Sequence, residues 1–225
     1  MKLCKKIFAV LLVLACCLSV FALPASAAYN RTNAVKYARA WQDGYDMDWF
    51  TLDSDCTNFV STCECYAGVV SYIPSTIPVG EIYKKYCMTE DTTHWYMKKV
   101  DVTGRPIGYQ TCWSYSSSWA FVSKLRTYFN KNTVTGSNSI ATVTSYPIST
   151  TTQINTLCKA LKAGDIVQVD NSNCGHSIII TTTGTSQSSV KYCAHSDAAD
   201  DEVFSNFITF CKKKSASSVY VIHFA

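Results

Sequence analysis

After Gly164 the hydrophobic period of the chain changes from helix to strand, and this switch constrains the fold more than any other feature. Before it, apolar residues recur three and four positions apart. Ala34, Val35, Tyr37, Ala38 and Trp41 form one such face, and Phe59, Val60, Cys63 and Tyr66 a second. Trp119, Val122, Leu125 and Phe129 form a third, and Ile154, Leu157, Cys158 and Leu161 a fourth. After it come short β runs at Asp165–Val169, His176–Thr182, Val190–Ala194 and Val219–Phe224, the first two joined by the turn-forming Asp170-Asn171-Ser172-Asn173-Cys174-Gly175. Helices first and strands second imply an α+β fold, with N-terminal helices packed on an antiparallel β-sheet.

Punctuation supports these elements. Asn30 or Thr32 can cap the first helix, Ser118 the third, and Gly44, Gly68 and Ala163-Gly164 stand where helices should stop. Val69–Thr111 reads as an irregular insertion with one short helix near Glu81–Tyr86, since Pro74, Pro78, Gly80, Gly104, Pro106 and Gly108 interrupt any long element. Its scattered aromatics either wall a cleft or pack a loop. Asn132–Thr152 reads as loop, with a short strand at Ile140–Val143.

Residues 1–27 read as a secretory leader. Lys2, Lys5 and Lys6 precede an apolar run, and Ala25-Ser26-Ala27 has the small-x-small pattern of a cleavage site. The run is too short and wrongly flanked for a permanent membrane span, and lipidation at Cys16 is the weaker reading because Leu14 is bulky. The expected product is residues 28–225, a single exported domain, secreted or associated with a cell wall, monomeric and without membrane insertion. Three of the 20 basic residues lie in the leader, leaving 17 against 16 acidic ones. That balance argues against a nucleic-acid or anionic-membrane binder, and Lys212-Lys213-Lys214 reads as a solvated turn. Nine of the 12 cysteines remain, so up to four disulfides are expected with one thiol left over. Zinc is disfavoured, because there is no C-x-x-C pair and Cys63-Glu64-Cys65 is too tightly spaced.

The odd thiol has a candidate. In Ser54-Asp55-Cys56-Thr57-Asn58-Phe59-Val60-Ser61, helix-capping residues lead into an apolar helix, placing Cys56 at its first turn. There the unpaired N–H groups and the positive end of the dipole favour a thiolate nucleophile, although Cys56 could equally be half of a disulfide. Such a nucleophile needs a base and a group to orient that base. His176 opens a strand after a turn and His195 ends the next one, which adjacent antiparallel strands could bring side by side. His94 lies in the insertion, and His223 reads as a surface or packed histidine. Any one of them alone is as readily structural.

These residues, in order, resemble the putative amidase domain of Gram-positive bacteria, a papain-like family related to NlpC-type cell-wall peptidases. Tyr29-Asn30-Arg31 through Trp41 is similar to its opening, and Asp55-Cys56-Thr57-Asn58-Phe59-Val60-Ser61 to its core motif. Trp113, Ser118-Trp119, Gly164-Asp165-Ile166-Val167, His176-Ser177 and Ala194-His195-Ser196 follow. The resemblance implies a helix-borne Cys56 nucleophile facing a sheet histidine, His176, as general base. His195 is implied as the orienting group, with Asp197 or Asn173 as alternatives, and Asp55 as a helix cap or an amine ligand. The chain departs from the family pattern at Thr62, Cys63-Glu64-Cys65, Ala67-Gly68-Val69 and Gly175, which bears on substrate preference.

The expected function is a secreted, thiol-dependent amidase or peptidase that needs no metal or cofactor and acts on a peptide or peptidoglycan-type amide. The competing expectation is a non-catalytic, disulfide-stapled binding module on the same fold. A transferase using the same pair would differ only in what accepts the acyl group.

Overall fold

The computed structural model describes residues 29–225 except 47, 70, 78–85, 104–110, 132–140 and 197. The leader, most of the helix expected near Glu81, and Asp197 therefore lie outside the described residues. The order of elements is α1 (Arg31–Trp41), α2 (Cys56–Tyr66), β1 (Tyr86–Thr89), β2 (Met97–Asp101), β3 (Thr111–Ser116), α3 (Ser117–Ala120), α4 (Val122–Lys131), β4 (Ala141–Pro147), α5 (Thr151–Ala160), β5 (Ile166–Asn171), β6 (Cys174–Thr182), β7 (Lys191–Ala194), β8 (Ala199–Val203), α6 (Phe204–Lys213) and β9 (Ser218–Phe224).

The fold is α+β, as the change of period implies. Six antiparallel strands run in the order β4-β9-β5-β6-β7-β8. Helices cover both faces. On one face Ile166, Ile179, Cys193 and Ile222 meet Ala34 and Ala38 of α1, Phe59, Val60 and Cys63 of α2, and Leu125 of α4. On the other, Val167, Val169, Ile178 and Ile180 meet Ile154 and Leu157 of α5 and Phe204, Phe207 and Ile208 of α6. Because β5 and β6 are buried on both sides, apolar residues stand at successive positions in Ile166-Val167 and Ile178-Ile179-Ile180 rather than alternating.

Local chemistry sets the boundaries. Asn30 caps α1 by accepting from the Asn33 N–H at 3.2 Å. Gly68, at φ +95°, ends α2 with Val69 N–H on the Glu64 carbonyl and Gly68 N–H on that of Cys65, the paired bonds of a Schellman stop. Thr150 and Gln153 form a reciprocal capping box on α5.

Several expectations are corrected. The insertion carries a second sheet, β1-β3-β2, with β1 parallel and β2 antiparallel to β3. Its Trp95 and Tyr96 are wholly buried, so these aromatics are packing. The helix expected from Ser118 is broken at Phe121, whose backbone is extended between α3 and α4. Tyr66, expected on the buried face, is exposed. An acidic strand, β8, and helix α6 follow β7, and the lysines at 212 and 213 end α6 where cations suit its dipole. Among the described residues no cysteine forms a disulfide. Cys63, Cys158, Cys193 and Cys211 are instead fully buried, behaving as small apolar side chains.

Candidate active site around Cys56

Cys56 is the first residue of α2, and its thiol is buried beside a cleft of about 390 Å³. Leu52, Ser54 and Thr57 lie on its own side of that cleft. Tyr115, the Ala120–Ser123 break, Asp170 and Gly175 form the rest. The first-turn N–H groups of α2 have no acceptors within the helix, so they favour negative charge at the sulfur or on a bound carbonyl oxygen. Burial raises the Cys56 pKa, and the nearby Asp55 charge adds to that. Backbone N–H groups of Ser177 and Thr57 and the Thr57 hydroxyl act in the opposite sense. The thiol Sγ lies 3.8 Å from Thr57 Oγ1.

Asp55 does not cap the helix with its side chain. Its Oδ1 accepts from Leu52 N–H at 2.7 Å and Asn58 Nδ2 at 2.8 Å, while Oδ2 meets His195 Nδ1 at 2.7 Å. His195 Nε2 meets the Trp41 carbonyl at 2.6 Å. The imidazole is thus held at both ring nitrogens. The imidazole also stacks on Phe59 at 4.0 Å, and Asp55 N–H donates to Ser196 Oγ at 2.8 Å. His195 and Asp55 thus form a buried clasp that ties the start of the Cys56 helix to the ends of β7 and α1. The clasp lies on the Asn58, Phe59 and Thr62 side of α2, whereas Cys56 and Thr57 face the cleft.

The His176 ring is on the face of β6 opposite the one that meets α2. Adjacent residues of a strand point to opposite faces, and it is Ser177 that faces α2, its Oγ 3.1 Å from Thr57 Oγ1. The His176 ring lies on the other face with Ile178 and Ile180, its centroid 5.6 Å from that of Phe210 and 6.4 Å from that of Phe207 on α6. The hairpin fixes this register. Asn171 Oδ1 accepts from the N–H groups of Asn173 and Cys174, closing an Asx turn that sets Asn171 opposite Cys174 and Val169 opposite His176. A slip of one residue would exchange the two faces.

Asn173 is exposed in that turn, far in role from an orienting group. His94 bonds Asp91 and stacks on Tyr72, and His223 bonds Asp165 at 2.9 Å. Of the expected residues, the structure therefore joins Asp55 with His195, leaves Cys56 in a cleft, and sets His176 apart. Sequence reasoning missed Tyr115 and Gln168 and read Asp170 only as part of a turn, whereas it lies in β5 at the cleft. Thr57 and Ser177 were part of the motifs, but nothing in their pattern assigned them a role. Among the described residues no group of three or more His, Cys, Asp or Glu could hold a metal ion.

The sequence matches the model of the family described as "Putative amidase domain" over residues 28–222. No curated protein and no solved structure matches it.

Proposed function

Because the chain belongs to the putative amidase domain family, we propose that it hydrolyses an amide bond with Cys56 as the nucleophile. The observation that carries this reading is the position of Cys56, at a helix start and opening on a cleft large enough for a peptide group. Sγ attacks the carbonyl carbon, and the first-turn N–H groups of α2 receive the developing oxyanion, an effect worth about 3 kcal/mol per donor. The C–N bond breaks, the departing nitrogen takes up the proton lost by the thiol, and water then cleaves the thioester to regenerate Cys56 and a carboxylic acid. His195 acts through Asp55, holding the helix start in place. The His176 ring lies against Phe207 and Phe210 of α6, so His176→Ala is the variant that tests the base role the resemblance implies.

Export follows from the leader pattern of residues 1–27, and peptidoglycan stem or cross-bridge peptides are the proposed substrates. Among the described residues no helix is long and apolar enough to cross a membrane. The test is mass-spectrometric detection of a new amine and carboxylate from defined cell-wall peptides. Hydrolysis lost in Cys56→Ala and kept in His176→Ala is the expected result. Full activity in Cys56→Ala would end the proposal, and loss in His176→Ala in a folded protein would restore that imidazole as base.

A further inference from the structure

From Cys56 a line of side chains runs down into the sheet. Sγ is 3.8 Å from Thr57 Oγ1, which is 3.1 Å from Ser177 Oγ, and Gln168 Nε2 donates to that oxygen at 2.9 Å. All four residues are buried, Ser177 and Gln168 completely. Gln168 stands directly opposite Ser177 across the β5–β6 ladder, and its Oε1 has no hydrogen-bond partner among the described residues. Only its amide N–H₂ enters the line.

Direction follows from the inventory of donors. An amide nitrogen can only donate, so Ser177 accepts from Gln168 and has its one hydrogen left for Thr57. Thr57 in turn has one hydrogen, and a thiolate offers only lone pairs. When Cys56 ionises, the arrangement that satisfies every hydroxyl is Gln168 N–H to Ser177, Ser177 O–H to Thr57, and Thr57 O–H to Sγ. We propose that Thr57, Ser177 and Gln168 form a one-way donor chain that stabilises the Cys56 thiolate. Thr57 touches the sulfur directly, and Ser177 and Gln168 are positioning residues that act through it.

The chain offsets opposing groups. Asp55 precedes the thiol on the same element, though His195 engages it. Across the cleft, β5 presents Asp170, ion-paired with Arg126 of α4 at 2.6 Å, and β3 presents Tyr115. The nearest carboxylate and the buried surroundings both disfavour a thiolate. A charge-assisted bond to sulfur, aligned from behind by two further donors, is the compensating arrangement. The catalytic meaning of the chain rests on Cys56 being the nucleophile; its existence does not.

The experiment is iodoacetamide labelling of the intact protein across pH, with the Cys56 rate followed by peptide mass spectrometry. Thr57→Val should move the Cys56 profile to higher pH and slow labelling at pH 6.5 about tenfold. Thr57→Ser should restore the wild-type profile. Ser177→Ala and Gln168→Met should shift it in the same direction by less. A Thr57→Val profile that overlies wild type in a protein with a normal melting transition would overturn the proposal, as would a Thr57→Ser profile identical to that of Thr57→Val. If labelling shifts as expected but no amide is cleaved, the proposed function fails and the donor chain stands. If amides are cleaved and labelling does not shift, the chain alone fails.

Discussion

The two faces of the six-stranded sheet are built to different rules. Beneath α5 and α6 the second face is an apolar layer against which the His176 ring lies, beside Phe207 and Phe210. Beneath α1, α2 and α4 the first face is threaded with polar groups: Gln168, Ser177, Thr57, Asn58, Asp55, Glu64 and Asp165 are all buried there. Burying polar groups is costly unless they are bonded, so a fold that concentrates them on one face has set that face aside for something other than cohesion. The contrast teaches that strand parity, one residue either way in β6, decides whether a side chain joins the polar face or the apolar one.

The largest effect should come from the sulfur itself. Cys56→Ser should cut amide hydrolysis by at least about 10³-fold, measured as kcat, with no change in melting temperature. Next is the clasp. Asp55→Ala leaves His195, Asn58 and the Leu52 N–H without their acceptor in a buried site, and should cost about 3–5 kcal/mol in denaturant unfolding. A loss below about 1 kcal/mol would mean the polar face is less tightly organised than its geometry. On the apolar face, His176→Ala should cost roughly 1–3 kcal/mol through lost packing. It should leave the pH profile of Cys56 labelling in place, which sharpens the separation of the two faces.

How much of this is legible in the sequence depends on whether a residue's neighbours are local. The Cys56 helix is legible because its caps, period and glycine stop lie within about a dozen residues. The facing of His176 is not. Ile178-Ile179-Ile180 is apolar at every position because both faces are covered, so alternation carries no signal. The β1–β3 sheet hides behind prolines and glycines, and β8 behind Asp200-Asp201-Glu202, since an edge strand need not be apolar. Asp55–His195 pairs residues 140 positions apart, beyond any local pattern.

The smallest expected effect concerns Glu64. Its carboxyl is wholly buried at the far end of α2, near the Tyr29 hydroxyl, and burial holds its pKa well above the usual carboxylate range against the lowering effect of Tyr29. The folded protein therefore keeps a proton that the unfolded chain gives up. The contribution of Glu64 to stability is fully present below the ordinary glutamate range and is lost as pH rises from there toward the raised folded value. Glu64→Gln should raise the melting temperature at pH 7.5 by a few degrees, with the gain fading near pH 4. A gain that is equal at both pH values would assign it to packing instead.

The clasp also sets an order of events. Asp55 waits for His195 and Ser196, and Thr57 waits for Ser177. During synthesis at about 5–20 residues per second, the partners of the Cys56 helix emerge on the order of ten seconds after the helix itself. For that interval the thiol has its helix but neither its clasp nor its line of donors. A chain arrested before residue 195 would carry the whole core motif and still lack the clasp, so the emergence of His195 and Ser196 is the step that fixes the start of the Cys56 helix.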